Sequence, residues 1–360
     1  MTIYNFCAGP AMLPKAVLEK AKTEMLNWNG SGTSVMEVSH RGAPFMSLAR
    51  ESEQNLRHLL AIPNNYKVLF MHGGGRGNFF SVPLNLSKRG TIAQFLNSGM
   101  WSDSAIKEAQ KYLQVEVVAS NIKRNNLIEV PEQTEWEFNS DAAYFHYCSN
   151  ETVDGIEINW VPQTGDVPLV ADMSSNILSK PLDIEKFGII YAGAQKNIGP
   201  SGLSIVIIRD DLLDFQDDKT PSVFSFKEQV KHDSMYNTPP TFSWYLAGLV
   251  FEWLIAQGGL ENMEKLNKQK SQHLYSCIDG SQFYKNNVHP NNRSRMNVTF
   301  DLADERLNDA FLKQANESGL LALKGHRAVG GMRASIYNAM PMEGVEALCS
   351  FMRDFERVNA

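Results

Sequence analysis

Residues 187–209, FGIIYAGAQKNIGPSGLSIVIIR, constrain the fold of this chain more than any other stretch. Two apolar runs, 189–191 and 203–208, have the length and the β-branched content of buried strands. The loop between them contains three glycines, one proline and one lysine, Lys196. An amine held between two buried strands is partly removed from water, and this lowers the pKa of an ammonium group.

A neutral amine is what a lysine needs in order to condense with an aldehyde. The alternative is that Lys196 is a solvated surface charge, which is the usual state of a loop lysine. The residues that precede Lys196 in the chain favour the first interpretation.

From residue 67 onward, short apolar runs alternate with helical patterns. The runs at 68–70, 91–95, 143–147 and 167–171 predict strands, and the segments between them predict helices. Strands separated by helices indicate an α/β fold with a mainly parallel, doubly wound sheet. Ligands of such sheets bind beyond the carboxyl ends of the strands.

Chemically distinctive residues follow five of the predicted strands. They are Gly75 with Arg76, Trp101, Thr152, Asp172 and Lys196. Each has a structural explanation when it is taken alone, such as a helix cap for Asp172 or a turn for Thr152. The HGGGRGN loop also lacks the Lys-Ser/Thr of a P-loop and the spacing of a dinucleotide fingerprint. The ordered set at one edge of one sheet is far more specific than any single member.

Together these groups match the chemistry of pyridoxal 5′-phosphate. The amine can condense with the aldehyde, and an aspartate can hold a protonated ring nitrogen through a charge-assisted hydrogen bond. A tryptophan offers a flat face for the ring. A glycine-rich turn that opens a helix, with a nearby threonine, offers donors to the phosphate.

Composition excludes several other classes of function. The formal net charge of −6 argues against a nucleic-acid-binding surface. The four cysteines form no CxxC pair and have no metal spacing, so we expect reduced thiols in a cytoplasmic protein without a metal site. The longest apolar stretch, 245–256, is shorter than the roughly 20 residues of a membrane span. The N-terminus has no pattern of a signal peptide.

The chain of 360 residues is long enough for two domains. We expect an irregular N-terminal arm over residues 1–14 and a large domain over 15–258. Long helices are predicted at 242–257 and 260–278. We expect a small α+β domain over 259–360 that packs with the arm.

The sequence also resembles the phosphoserine aminotransferase family, a group of class V, fold-type I pyridoxal-phosphate enzymes. The resemblance covers essentially the whole chain. It is carried by AGPAMLP, NWNGSGTSVMEVSHRG, NYKVLFMHGGGRGNF, NETVDGI, YAGAQKNIGPSGL, MYNTPPTFSWYLAGLVFEWL, NRSRMNV and LKGHRAVGGMRASIYNAMP. It implies a seven-stranded, mainly parallel sheet in the large domain.

The resemblance implies roles for individual residues. Lys196 would hold the cofactor aldehyde and move the substrate proton, Asp172 would pair with the pyridine nitrogen, and Trp101 would stack on the ring. The remaining cofactor-binding residues would be Gly75, Arg76, Thr152 and Gln195, with Asn237 and Thr238 reaching the cofactor phosphate of a neighbouring subunit. A homodimer with shared active sites follows from that last role. Ala8 stands where relatives often have serine, so any substrate contact there is left to the backbone.

Two glycine-flanked clusters, SHRG and GHRAVGGMR, supply cationic side chains suited to anionic substrates. The resemblance assigns Arg333 to the substrate α-carboxylate. It assigns His40, Arg41, Arg76, His326 and Arg327 to the distal phosphate or carboxylate, some of them from the partner subunit. Scattered surface charge is the alternative for any single arginine.

The implied reaction is reversible amino transfer between O-phospho-L-serine and 2-oxoglutarate, with 4-phosphohydroxy-L-threonine as a second substrate. Another class V activity is the main alternative, either an alanine–glyoxylate type aminotransferase or a cysteine desulfurase. A desulfurase needs a reactive cysteine on a mobile loop, and no cysteine here has that setting. A cofactor-binding protein without turnover is the non-enzymatic alternative.

Overall fold

The computed structural model describes residues 2–360, and this range contains nine α-helices. They are α1 (Lys15–Glu24), α2 (Ala43–Leu60), α3 (Gly74–Leu86), α4 (Met100–Ala109), α5 (Phe226–Lys231), α6 (Thr241–Ala256), α7 (Gly259–Asp279), α8 (Asn308–Glu317) and α9 (Met342–Asn359).

The strands of the first half of the chain are β1 (Tyr4–Asn5), β2 (Tyr66–Met71), β3 (Ile92–Asn97), β4 (Gln114–Ser120), β5 (Ile122–Arg124), β6 (Leu127–Glu129), β7 (Tyr144–Cys148), β8 (Asn150–Glu151) and β9 (Ile156–Glu157). Those of the second half are β10 (Leu169–Asp172), β11 (Ile189–Gly193), β12 (Ser204–Arg209), β13 (Tyr284–Lys285), β14 (Asn297–Leu302), β15 (Leu320–Leu321) and β16 (Met332–Ser335).

Seven strands form the central sheet, in the order β2-β12-β11-β10-β7-β3-β4. Strand β12 is antiparallel to both of its neighbours, and every other pairing in the sheet is parallel. The predicted α/β fold with a mainly parallel seven-stranded sheet is therefore confirmed. Because the other six strands point the same way, their carboxyl ends lie along a common edge.

Helices cover both faces of this sheet. On one face Trp244 of α6 stacks on Phe70 of β2, with ring centroids 4.1 Å apart, and Phe45 of α2 packs edge-on against the same indole. On the other face Phe79 of α3 packs against Tyr191 of β11. The strands between these layers read as continuous apolar runs because both of their faces are buried.

A second core lies in the C-terminal third of the chain. Strands β13, β14 and β16 form an antiparallel sheet against which α7 packs, and α9 packs on α7. Phe6 of the N-terminal arm is buried in this core. Helix α7 serves both cores, since Leu260 belongs to the first and Leu274 to the second.

The structure corrects two features of the predicted secondary structure. The arm over residues 1–14 is not wholly irregular, because β1 pairs in parallel with β15. Strand β4, at the sheet edge, was not predicted, and its residues are mostly half-buried or exposed. An edge strand with little buried surface gives a weak apolar signal.

No helix in the part of the chain that the structure describes combines the length and the apolar character needed to cross a membrane.

Candidate active site

The five distinctive groups of the sequence lie at the carboxyl edge of the central sheet. Helix α3, with Gly75 and Arg76, begins three residues after β2, and α4, with Trp101, begins three residues after β3. Thr152 follows β7 by four positions, Asp172 is the last residue of β10, and Lys196 lies three residues beyond β11. The parallel strand order brings them to one place.

Lys196 is buried, with 9% of its surface exposed. Its Nζ donates a hydrogen bond of 2.6 Å to Thr152 Oγ1 and lies 5.4 Å from the centroid of the Trp101 ring. Burial lowers the pKa of the Lys196 amine, and the nearby Asp172 carboxylate opposes this shift. A buried amine with a lowered pKa is a better nucleophile and proton acceptor than a solvated one.

The loop that carries Lys196 is fixed along its length. Ala194 N–H donates to the Leu203 carbonyl at 2.9 Å, and Gly199 N–H donates to the Ala194 carbonyl at 2.8 Å. The Gln195 carbonyl accepts from Ala11 N–H of the N-terminal arm at 2.8 Å. The Lys196 backbone is thus held by the sheet, by its own turn and by the arm.

Asp172 presents one oxygen to the protein and leaves the other available. Its Oδ1 accepts from the Ser174 backbone N–H at 2.8 Å and from Ser174 Oγ at 2.6 Å. Among residues 2–360, nothing donates to Oδ2. Burial raises the pKa of the Asp172 carboxyl, while Lys196 and Ser174 favour its charged form. A buried carboxylate with a free oxygen suits a cationic donor.

Glu151 positions Trp101 at the start of α4. Its two carboxylate oxygens accept from the backbone N–H groups of Trp101 and Ser102 at 2.9 and 2.8 Å. Burial and the adjacent Asp154 raise the pKa of Glu151 to about 7, and the α4 amides oppose that shift. These bonds satisfy amides that the first turn of a helix leaves without partners.

The start of α3 lies close to the Lys196 loop. Gly73 precedes the helix at φ +86°, a left-handed conformation that favours glycine. A Cβ on Gly193 would lie 2.9 Å from Gly75 N and 2.8 Å from Gln195 Oε1. Only glycine therefore allows β11 and the start of α3 to approach so closely.

These groups can accommodate pyridoxal phosphate. The Trp101 indole N–H is buried and has no partner within the described range, and its ring offers a flat face for a pyridine ring. The first-turn amides of α3 have no partners inside the helix and can bind a phosphate. The free Asp172 Oδ2 suits a protonated pyridine nitrogen, and the Lys196 amine suits the aldehyde.

The predicted substrate-binding residues are more widely spaced than the predicted cofactor-binding residues. Arg333 donates to the Thr152 carbonyl at 3.4 Å, and Arg76 Cζ lies 5.2 Å from the Trp101 centroid. His326 is near Asp154, where it opposes the burial that raises the pKa of that carboxyl. Arg327 follows His326 on an exposed loop.

Other predicted residues lie at the periphery of the cluster. His40 and Arg41 bond to each other, with Arg41 Nε 3.3 Å from His40 Nε2. Asn237 Oδ1 lies 3.2 Å from His72 Nε2, and Thr238 is exposed beside it. The Ala8 carbonyl accepts from Tyr337 Oη at 2.8 Å.

Two residues of the site were missed in the sequence. Ser174 has a recognisable signal, because an aspartate that accepts from the N–H two residues later is a common turn. Its Oγ also accepts from Gly193 N–H at 3.0 Å, which joins β10 to β11. Glu151 has no local signal, since the helix that it caps lies about fifty positions away in the chain.

No group of three His, Cys, Asp or Glu side chains within residues 2–360 is arranged to hold a metal ion.

Comparison with known proteins adds four findings. The sequence profile of the class-V aminotransferases matches residues 3–348. The phosphoserine aminotransferase of Ectopseudomonas mendocina (strain ymp) is 55% identical over 357 residues, which cover 99% of each chain. The structure of the Bacillus circulans subsp. alkalophilus phosphoserine aminotransferase superposes with a TM-score of 0.96 at 44% identity and covers 99% of both chains. The pyridoxal-phosphate-bound Trichomonas vaginalis enzyme of the same name gives a TM-score of 0.93 at 42% identity, covering 98% of this chain and 99% of that one.

Proposed function

The chain belongs to the class-V aminotransferase family, and from this premise we propose that it exchanges the amino group of O-phospho-L-serine with 2-oxoglutarate. The products are 3-phosphohydroxypyruvate and L-glutamate, a step of serine biosynthesis. The enzyme is a pyridoxal-phosphate-dependent aminotransferase. The observation that carries the proposal is a buried Lys196 beside Asp172 and Trp101, in a chain 55% identical over nearly its full length to a phosphoserine aminotransferase.

Lys196 and Asp172 are the proposed catalytic residues. The bound cofactor supplies an electron sink for the negative charge that forms at the substrate Cα. Burial lowers the pKa of the Lys196 amine, which favours its neutral form, and this amine would take the proton from Cα and return it at the former aldehyde carbon. Asp172 holds the ring nitrogen in its protonated state through Oδ2. Thr152 Oγ1 orients the Lys196 amine.

We propose further cofactor contacts for the residues around Lys196 and Asp172. Trp101 covers one face of the ring, and Glu151 fixes the helix start from which the indole projects. The phosphate binds at the start of α3. The phosphate and ring substituents are assigned to Gly75, Arg76, Thr152 and Gln195, together with Asn237 and Thr238 from the partner.

Arg333 is the proposed partner of the substrate α-carboxylate, because its guanidinium reaches Thr152 beside the Lys196 amine. The distal phosphate or carboxylate is assigned to His40, Arg41, Arg76, His326 and Arg327, and Ala8 contributes its backbone. Two separate cationic groups favour substrates with two anionic ends over alanine. A 4-phosphohydroxy-L-threonine substrate carries the same two ends and is proposed as a second donor.

We further propose a homodimer in which each site receives residues from both chains. His40, which is half-buried, and Arg41, which is exposed, lie on one turn and bond mainly to each other, which leaves them available to a second copy. A mixture of Lys196→Ala and Arg41→Ala chains tests this. If Arg41 acts across the interface, the mixture regains about one quarter of wild-type activity, because about half of its dimers are hybrids and each hybrid carries one complete site of two. An inactive mixture would place Arg41 in the site of its own chain.

The remaining proposals concern organisation and location. The large domain spans 15–258, and the small domain spans 259–360 with the arm; the burial of Phe6 in the second core supports this division. A cytoplasmic location is consistent with four free cysteines.

A half-reaction is the decisive test of the substrate. Phosphoserine mixed with the loaded enzyme in the absence of keto acid should convert the aldehyde form of the cofactor to the amine form. We expect alanine to react at least about 10²-fold more slowly, because it lacks the distal anion. Equal rates with alanine would contradict the proposed substrate.

A further inference from the structure

A second candidate site lies in a cavity of about 800 Å³, away from the Lys196 cluster. Helix α7 forms one wall, and the segments 158–161 and 176–183 form the others. The volume lies in the range of small-molecule pockets. None of Gly75, Trp101, Thr152, Asp172 or Lys196 lines this cavity.

The floor of the cavity is apolar and partly aromatic. Tyr147, Met173 and Ile177 are buried beneath it. Trp160 is half-buried and packs one side against Trp136, with ring centroids 5.2 Å apart, while it also lines the cavity. An indole held in this way offers a fixed surface to a flat apolar ligand.

Most of the charges around the cavity are already paired. Lys268 bonds to Glu264 at 2.9 Å, Arg293 bonds to Asp279 at 2.6 Å, and Asp183 lies 3.5 Å from Lys186. Arg295 approaches Glu157 through Nη2 at 2.6 Å and through Nε at 3.1 Å. Because these charges are paired, they contribute little net charge to the wall of the cavity.

Lys180 is the exception. Its Nζ forms only a long ion pair with Glu157, at 3.8 Å and without a hydrogen bond, and Arg295 already donates to both oxygens of that carboxylate. Within the described residues the Lys180 ammonium makes no hydrogen bond, although it lines the cavity with only 21% of its side chain exposed. The Lys180 N–H donors therefore have no hydrogen-bond acceptor among the described residues, and the side chain lines the cavity.

We propose that this cavity binds a small aromatic monocarboxylate, with its ring on Trp160 and its carboxylate on Lys180. One unfilled cation favours a single negative charge, and the neighbouring Glu157, Glu264 and Asp183 disfavour a second one. This ligand class differs from the doubly anionic substrates of the active site.

Calorimetric titration of the loaded enzyme with 2-naphthoate tests the proposal. We expect one naphthoate per chain. Lys180→Met should raise the Kd about tenfold or more, because a charge-assisted hydrogen bond is lost. Lys180→Arg should retain binding. Trp160→Leu should weaken binding several-fold.

Lys268→Met is the matched control, since this lysine lines the same cavity but is already paired with Glu264. Its Kd should stay within about twofold of wild type. Saturating 2-oxoglutarate separates the cavity from the substrate site and should leave naphthoate binding unchanged. Three results would overturn the proposal: no binding at millimolar naphthoate, equal weakening by both methionine variants, or displacement by 2-oxoglutarate. Unchanged turnover of phosphoserine in Lys180→Met verifies that the variant is folded.

Discussion

Lys196 and Lys270 are both buried lysines, with 9% and 3% of their surfaces exposed, but their amines have different surroundings. Lys270 Nζ, on α7, donates to the carbonyls of Ile336, Tyr337 and Met340 at 3.1, 2.7 and 3.0 Å. Lys196 Nζ has one acceptor, Thr152 Oγ1. Burial lowers the pKa of both amines.

The difference shows that burial alone does not identify a reactive amine. Three carbonyls use every N–H of the Lys270 ammonium and bind α7 to the segment that follows β16. Lys196 retains bonding capacity and has Asp172 and Trp101 as neighbours. A filled set of acceptors indicates a structural role, and an unfilled set indicates a chemical one.

Lys196→Ala tests the chemical side of this comparison and should have the largest effect. Turnover should fall by at least about 10³-fold, because the group that moves the Cα proton is lost. Borohydride reduction followed by peptide mass analysis should find no cofactor on the protein. In Lys270→Met, the reduced cofactor should still be found on the peptide that contains Lys196. Labelled Lys196→Ala protein would show that another amine holds the cofactor.

Asp172→Asn tests whether the neighbour of the reactive amine matters through its charge. We expect kcat to fall about 10²-fold or more while the cofactor stays bound, since an amide does not stabilise a protonated ring nitrogen. Stopped-flow absorbance with phosphoserine measures the rate at which the aldehyde form of the cofactor is converted to the amine form. Ser174→Ala is the control, because it removes a neighbour of Oδ1 and leaves Oδ2 intact. A wild-type rate in Asp172→Asn would refute the role.

Lys270→Met tests the structural side. Three carbonyls lose their donor, so the free energy of unfolding should fall by about 3 kcal/mol, while the active-site chemistry is retained. Urea denaturation measures the change. The surface variant Lys268→Met should shift stability by no more than about 0.5 kcal/mol. Equal stability of the two variants would remove the distinction between the two buried lysines.

The pH dependence of stability sharpens the comparison with the smallest expected effect. Burial lowers the pKa of Lys270 to about 7 from 10.5, so the unfolded chain binds more protons than the folded one between these values. The stability that wild type gains when the Lys270 amine is neutral in both states is complete above pH 10.5. It is lost progressively as the pH falls from 10.5 through 7. From pH 7.5 to 8.5, wild type should gain about 1 kcal/mol relative to Lys270→Met in urea denaturation. A constant difference would mean that the three carbonyls keep Lys270 charged.

The parallel sheet and the reactive edge were predictable because both depend on local patterns. Buried strands β2, β7, β10, β11 and β12 are mostly apolar runs, and each functional group lies at the end of a strand or a few residues beyond it. Strand β4 was missed because its surface is only partly covered. The pairing of β1 with β15 joins segments more than 300 residues apart, so no local pattern reports it.

The contacts within the site were less predictable than its members. The cap that Glu151 places on α4 and the acceptors of Lys270 come from segments distant in sequence. Lys196 and Lys270 differ in how many hydrogen-bond acceptors surround each amine, and that number can be read only from the three-dimensional structure. The sequence alone presents Lys196 in a loop between two apolar runs and Lys270 in the polar stretch NKQKSQ of a predicted helix.

The anchored loop of Lys196 has a consequence for turnover. Its two ends continue into adjacent strands, and its middle is tied to the N-terminal arm, so the main chain cannot follow the substrate. Any movement of the amine during turnover must therefore come from rotation about the four methylene groups of the Lys196 side chain, while its Cα stays in place.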